Sequence, residues 1–293
     1  MVNGKHKISF GRILNGLGLI VLGFITLYPF IFLVSTSLSA PSELSRNSVV
    51  LLPRGLTLSN YAKVIDDSKL WNGYKNTLIM VTLDIVVGVT ATTMMAYPLS
   101  VRGGFEKYSN PIMKMVMITM YFSGGMIPTY LLVKTLGLID TFWSITLPAT
   151  ISSFHLIITR TFMRDLPSEL SEAASIDGAN DIYTFFKIIL PLCMPIIAVV
   201  MLYRAVGTWN CFMSPLLYLN SPEKYPLQVY LRQLLSQTTM QDYRVESDSA
   251  IGKLDSTSIR ACIMVVSTLP ILIGYPFLQK YFVKGMMIGS VKG

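Results

Sequence analysis

Apolar residues in this chain gather into long runs, not into the short periodic patches of a soluble domain. Runs near the roughly 20 residues needed to cross a bilayer's hydrocarbon core predict six spans, at approximately 13–37, 76–99, 111–133, 142–163, 191–219 and 259–282. The first contains Pro29, which membrane helices tolerate, and the third carries Gly124-Gly125 and Pro128, predicting a break or bend in its outer half. The polar intervals 38–75 and 220–258 are long and expected outside, whereas Arg102 to Asn110 is a tight basic loop expected inside. Within the first long loop, Pro53-Arg54-Gly55-Leu56-Thr57 reads as a turn, and Ser59-Asn60-Tyr61 opens a short amphipathic helix through Val64. The pattern predicts an all-α membrane protein in which residues 1–293 form a single transmembrane domain.

One polar interval, residues 164–190, stands apart. It reads as two short helices hinged at a glycine. Pro167 suits a first helical turn, and Glu169 and Glu172 lie near the positive end of the helix dipole. Gly178 can take positive φ and stop that helix. Asn180 or Asp181 then caps a second helix, whose Ile182, Phe185, Phe186 and Ile189 fall on one apolar stripe. Ala173, Ala174, Gly178 and Ala179 leave a slim surface flanked by acids, a shape able to enter another protein's groove. A passive interfacial hairpin is an equally good reading of these residues alone.

Composition sharpens the class. Of 293 residues, 52% are hydrophobic and 14% charged, against about 25% charged in soluble domains. The formal charge of +8 needs no nucleic acid, because basic residues flanking spans on the cytoplasmic side account for it, and no aromatic-plus-basic platform accompanies it. Lys and Arg divide almost evenly between the two sides, but the inside set is packed close to span ends while the outside set is diluted over two long loops that also hold most of the acids. That predicts both termini inside, the chain closing past Lys280, Lys284 and Lys292. The apolar run from Ile13 to Val34 exceeds the roughly 7–15 residues of a secretory signal, so it is expected to be an uncleaved first span.

Little in the sequence suggests chemistry within the chain. Cys193, Cys211 and Cys262 show no zinc or redox spacing, and His6 and His155 stand alone, so neither a metal site nor a catalytic set is expected. No G-x-x-x-x-G-K-[ST] loop is present to cradle a nucleotide. Asp84 and Arg204 are the ionisable residues placed near mid-membrane. Two isolated charges make a poor proton relay, and a structural pair, a contact to a neighbouring subunit or a channel-lining charge explains them as well. Energy for transport would have to enter from another protein, through the 164–190 segment.

Glu172-Ala173-Ala174, with Gly178 six residues after the glutamate and Ile188 with Leu190-Pro191 beyond it, resembles the EAA signature of membrane subunits of bacterial ABC importers. Further stretches resemble the maltose-type branch of carbohydrate permeases: Ile127-Pro128-Thr129-Tyr130-Leu131, Leu136-Gly137-Leu138-Ile139-Asp140-Thr141, Arg160 with Phe162, Trp209-Asn210, and Pro215-Leu216. The ending from Gln279 to Gly293 is similar to the oligosaccharide subgroup named after lipoproteins. The resemblance implies a type I ABC importer permease fold of six transmembrane helices, with cytoplasmic coupling helices in 164–190. It implies an ATPase-docking surface at Glu172, Ala173, Ala174, Asp177 and Gly178, tied to the fifth span by Ile188, Leu190 and Pro191.

It also implies a bacterial inner-membrane location and a set of partners: a second permease in a heterodimer, two cytoplasmic ATPases holding ATP and Mg, an extracellular solute-binding protein, membrane lipid and an oligosaccharide. No cofactor and no nucleic acid would be bound by this chain. Sugar offers apolar CH faces and many hydroxyls, so Tyr121, Phe122, Tyr203, Trp209 and Asn210 are the pathway candidates. The alternatives are an ion-coupled secondary sugar carrier, a membrane enzyme, or the same ABC architecture serving a solute other than sugar.

Overall fold

The structure is a computed structural model that describes residues 10–45, 49–101, 106–233, 236 and 257–274, and among these all regular structure is helical. The chain divides into two compact units, Met1–Asp67 with Gln233–Leu269, and Ser68–Arg232 with Pro270–Gly293. Helices Leu14–Leu38, Ser68–Ser100 and Thr257–Gly274 are each long and apolar enough to cross a membrane, and two bent helix pairs qualify if each is taken as one span. Residues 275–282 of the expected sixth span, the 102–105 part of the basic loop, most of the loop 237–256, His6 and the chain ending lie outside the described residues.

In the first unit, helix α1 (Phe10–Leu38) runs for 29 residues with Pro29 inside it. Burial begins only at its end, at Ser35, Thr36 and Ser37. There the expected turn folds back on the helix: Ser35 Oγ donates to Leu51 O (2.6 Å), the Arg54 N–H donates to Ser39 Oγ (3.1 Å), and the Thr57 N–H donates to Leu38 O (3.0 Å). Gly55 takes φ +62°, and a Cβ on it would come within 3.0 Å of the Ala40 Cβ, so both conformation and space call for glycine. The short helix α2 (Ser59–Ile65) follows as expected, burying Asn60 and Val64. Its Tyr61 hydroxyl lies 2.7 Å from Ser37 Oγ, and the Cys262 thiol reaches the Ser37 carbonyl.

The second unit is built around α3 (Ser68–Ser100), 33 residues long. It starts eight residues before the predicted span, so the expected outer loop 38–75 is helical over its last part. The reason is burial: Leu70 and Gly73 pack inward, and a Cβ on Gly73 would lie 3.1 Å from Leu227 Cα. Buried positions Leu70, Gly73, Thr77, Met80, Asp84, Gly88, Thr92, Ala96 and Leu99 recur at steps of three and four, tracing one face. Several are small, which lets neighbouring helices approach closely. The helices α7 (Ser153–Arg164) and α10 (Met194–Trp209) pack on this face.

The third span is broken as expected. Helix α4 (Glu106–Tyr121) ends before Gly124-Gly125, Gly125 takes φ +86°, and α5 (Met126–Thr135) leaves at 114° to it. The fourth span departs from expectation, because 142–163 is not one helix. It comprises α6 (Trp143–Thr146), a non-helical stretch at 147–152, and α7. Pro148 lies in the gap and has no N–H to continue a helical ladder. Residues 191–219 are likewise divided, among Leu190–Leu192, α10, and a short helix Met213–Tyr218.

Two apolar clusters sit at opposite ends of α3. One gathers Ala96, Leu99, Met113, Leu156, Met163, Phe185, Ile189, Cys193 and Ile197, and the other gathers Met80, Val133, Ile145, Tyr218 and Leu219. Between them lies an ion pair. Arg204 Nη1 donates to Asp84 Oδ1 at 2.8 Å, with side chains only 2% and 8% exposed. Thr208 Oγ1 donates to the other carboxylate oxygen at 2.8 Å. Arg204 Nη2 donates to the carbonyls of Thr150 and Ala149, inside the gap of the fourth span. A Cβ on Gly88 would fall 1.9 Å from Arg204 Nη1, so only glycine leaves room for the guanidinium.

Removing one member strands the other charge, so Arg204→Met is expected to destabilise the folded protein by about 3–5 kcal/mol. Asp84→Leu combined with Arg204→Met should recover a large share of that loss. Thermal unfolding of the purified variants in detergent checks both, and additive losses in the double variant would show that the pair is not coupled.

Candidate functional site

The segment 164–190 folds as a helix–turn–helix. Helix α8 (Glu169–Ile176) carries Glu169 and Glu172 in its first turn, while Pro167 sits just ahead of it and accepts the Leu170 N–H at its carbonyl. The helix is closed by a Schellman arrangement: the Ala179 N–H donates to Ala174 O (2.9 Å), the Gly178 N–H donates to Ser175 O (3.1 Å), and Gly178 takes φ +80°. Asn180 is the cap of the next helix, its Oδ1 accepting the Tyr183 N–H at 2.8 Å.

Helix α9 (Asp181–Leu192) holds a π turn over Phe185–Ile189. Phe185 and Ile189 are buried in the core cluster at the C-terminal end of α3. Ile182 and Phe186 are exposed instead, so the expected single stripe divides into two faces. The outward pair lines an open apolar groove with Met94, Tyr97, Pro98 and Val101. After Cys193 the chain turns by 76° into α10.

Of the motif residues, Glu172, Ala173, Asp177 and Gly178 are exposed together at the end of α8 and its turn. Ala174 is not: at 6% exposure it lines the cleft between α8 and α9, with Tyr183, Lys187 and Ile188. Ile188 and Leu190 are half-buried against the core cluster, and Pro191 is exposed. At the same end of the unit, Arg160 Nε donates to Leu99 O (3.0 Å), Ser109 Oγ donates to the same carbonyl (2.6 Å), and Arg164 pairs with Glu106 at 2.8 Å. These contacts join the C-terminus of α3, the start of α4 and the end of α7.

The pathway candidates do not form one cluster. Tyr121 and Phe122 are exposed at the break between α4 and α5. Tyr203 meets Phe154 edge-to-face at 5.7 Å and His155 at 6.0 Å. Trp209 is buried and packs on Tyr74 at 6.2 Å, and Asn210 is exposed with its amide donating to Val206 O. Sequence reading missed Gly88 and Thr208. Each lies four residues after a charged residue of the central pair, one helical turn on, and that spacing was the available signal.

At the far end of α3 a second polar knot closes the unit. Asp140, at φ 62°, accepts the N–H groups of Asn220 and Ser221 at Oδ1, and at Oδ2 it accepts Ser221 Oγ (2.6 Å) and Lys224 Nζ (2.7 Å). Asn76 Nδ2 donates to the carbonyls of Glu223 and Tyr225, and the Leu227 N–H donates to Thr77 Oγ1. The Lys224 ammonium, then the Ser221 hydroxyl and the two backbone N–H groups, hold the Asp140 carboxyl well below the usual carboxylate range.

An all-helical membrane unit with a broken third span and an anchored helix–turn–helix carrying the EAA residues defines a permease component of a transport system. Residues 77–288 match the family described as the binding-protein-dependent transport system inner membrane component, and the chain belongs to that family. The chain is 39% identical to the protein LplC of Bacillus subtilis, over all of this chain and 99% of that one. It is also 39% identical to the polygalacturonan/rhamnogalacturonan transport system permease protein YtcP of the same organism, over 94% and 96% of the two chains. Among solved structures it is similar to a chain of a bacterial ABC transporter involved in import of the acidic polysaccharide alginate, with TM-score 0.83, 28% identity and 96% and 100% coverage. The expected permease class and helical fold therefore stand.

Because the Asp140 pKa is lowered on folding, its contribution to stability is complete above the unfolded value of about 3.9. It drains away as pH falls from there toward the folded value. Wild-type protein should lose stability across that acid window by more than Asp140→Asn does, as thermal unfolding measured between pH 3 and pH 7, about the range that brackets the unfolded value, will show.

Proposed function

We propose that this chain is one half of a heterodimeric permease that passes an oligosaccharide inward across a bacterial cell membrane, driven by ATP hydrolysed in two cytoplasmic partner subunits. An extracellular binding protein delivers the sugar. The observation that carries this reading is the anchored helix–turn–helix on a chain of a binding-protein-dependent family: Glu172, Ala173, Asp177 and Gly178 are presented to solvent, while Phe185 and Ile189 fix the same segment into the core. A surface that is both exposed and rigidly rooted can pass a push from another protein into the spans. The carbohydrate cargo rests on the relative named for polygalacturonan and rhamnogalacturonan transport and on the solved relative's role in alginate import.

In this reading the three long helices, the two bent pairs and the interrupted 142–163 segment are the six spans, the termini and the 164–190 segment are cytoplasmic, and 38–75 and 220–258 lie outside. ATP and Mg are held by the partner subunits, and this chain binds no cofactor. Partner closure on ATP favours one of two orientations of the pathway, and binding energy shifts that equilibrium only through contacts that differ between the two.

Two measurements test it. Pull-down of the tagged chain from membranes should recover a second permease, an ATPase and a binding protein whose eluted ligand is a saccharide; a non-carbohydrate ligand would sink the sugar assignment. Gly178→Val forces a β-branched residue to positive φ, costing about 1–2 kcal/mol or more. It should lower uptake and substrate-stimulated ATPase on the order of tenfold with assembly retained and the melting temperature lowered by only a few degrees. Gly178→Asn, which tolerates that conformation, should be milder. Normal uptake in Gly178→Val would remove the coupling role.

A further inference from the structure

The break in the fourth span places polar groups where a plain helix would have hidden them. Asp84 is the midpoint of the 33-residue α3, and Arg204 links it to the carbonyls of Ala149 and Thr150. The residues next to this linkage therefore lie midway along the longest helix of the unit. Among them, Phe154 and Tyr203 meet edge-to-face at 5.7 Å and are 45% and 43% exposed, with His155 packed against both rings. Beside them, Ser153 Oγ and Thr119 Oγ1 lie 2.8 Å apart at an exposed position, joining α7 to α4. Tyr121 and Phe122, two and three residues after Thr119, are exposed.

This surface mixes ring faces with hydroxyls at mid-helix depth. Hydrocarbon tails would gain nothing from the hydroxyls, and polar side chains at that depth usually face protein or a water-filled path. Stacked rings flanked by hydroxyl groups suit a sugar, whose CH face covers a ring while its hydroxyls trade hydrogen bonds at the edge. Trp209, another of the aromatic candidates from sequence, is by contrast buried against Tyr74.

We propose that Phe154 and Tyr203, flanked by the Thr119–Ser153 hydroxyl pair, form this chain's saccharide-contact strip on the wall of the transport pathway. His155 is a positioning residue behind the rings. The proposal rests on the oligosaccharide reading above and adds where on this chain the sugar is touched.

The test uses the assembled importer in proteoliposomes, with a labelled galacturonic-acid trisaccharide and labelled arabinotriose as probes. In a Cys211→Ser background, Phe154→Cys and Thr119→Cys should react with a charged, water-borne thiol reagent about tenfold faster than Ile20→Cys on α1, a margin of about 1.4 kcal/mol. Saccharide delivered by the binding protein should slow the reaction. Phe154→Ala and Tyr203→Ala should each lower uptake about three- to tenfold with the complex still assembled and the melting temperature lowered by only a few degrees. Phe154→Tyr and Tyr203→Phe should restore uptake. Failure of the reagent to reach the introduced thiols, or sugar uptake indifferent to both alanine variants, overturns the strip alone. Loss of uptake with no slowing of the thiol reaction by saccharide assigns the rings to packing and also overturns it. A wild-type importer that carries neither probe, and whose binding protein delivers a solute other than sugar, overturns the cargo reading and the strip's ligand together.

Discussion

The structure depends on an arginine held at the middle of its longest helix. A guanidinium in a bilayer is costly, by about 2.5–3.5 kcal/mol on insertion scales, and its planar fork of donors has to be met from several directions. Arg204 finds Asp84 on α3 and two carbonyls in the gap of the fourth span. That gap is itself costly at membrane depth, because carbonyls released from a helix need partners. Each defect satisfies the other. The break supplies acceptors that a continuous helix would have used up, and the arginine supplies donors that lipid lacks. Gly88 is the enabling residue, since even a methyl group at that position would overlap the guanidinium. Thr208 completes the carboxylate.

This arrangement links two ends that would otherwise be independent. One apolar cluster receives Phe185 and Ile189 from α9, and the other receives Val133, Ile145 and Tyr218 near the Asp140 knot. Helix α10 begins at the first cluster, just past the bend at Cys193, and carries Arg204 and Thr208 to the midpoint of α3. One helix therefore runs from the cluster that holds α9 to the place where the fourth span is interrupted. Packed helices of this kind shift between discrete arrangements and do not deform gradually.

Much of this was legible in the sequence. The apolar runs located the long helices, Gly124-Gly125 marked the break of the third span, and Gly178 and Asn180 have the hinge and cap roles their chemistry suggests. The interruption of the fourth span was not legible, because Ser, Thr and Pro148 within an apolar run are tolerated by intact membrane helices too. What decided the matter was Arg204, more than fifty residues away in sequence. The apolar stripe of α9 divides because the π turn over Phe185–Ile189 departs from the 3.6-residue period and changes which side chains share a face. For the pathway, aromatic identity was visible but orientation was not, so Trp209 and Tyr203 looked alike until one proved buried and the other open.

The burial of Ala174 divides the EAA motif into two physical roles. Glu172 and Ala173 present their side chains to solvent at the end of α8. Ala174 turns inward, lining the cleft beside α9 with its side chain almost wholly covered, so it adds no surface next to its two neighbours. The motif is therefore not a uniform patch, since two exposed residues stand beside one that is buried. The Schellman turn at Gly178, whose Ala179 N–H donates to the Ala174 carbonyl, fixes where that exposed end of α8 stops.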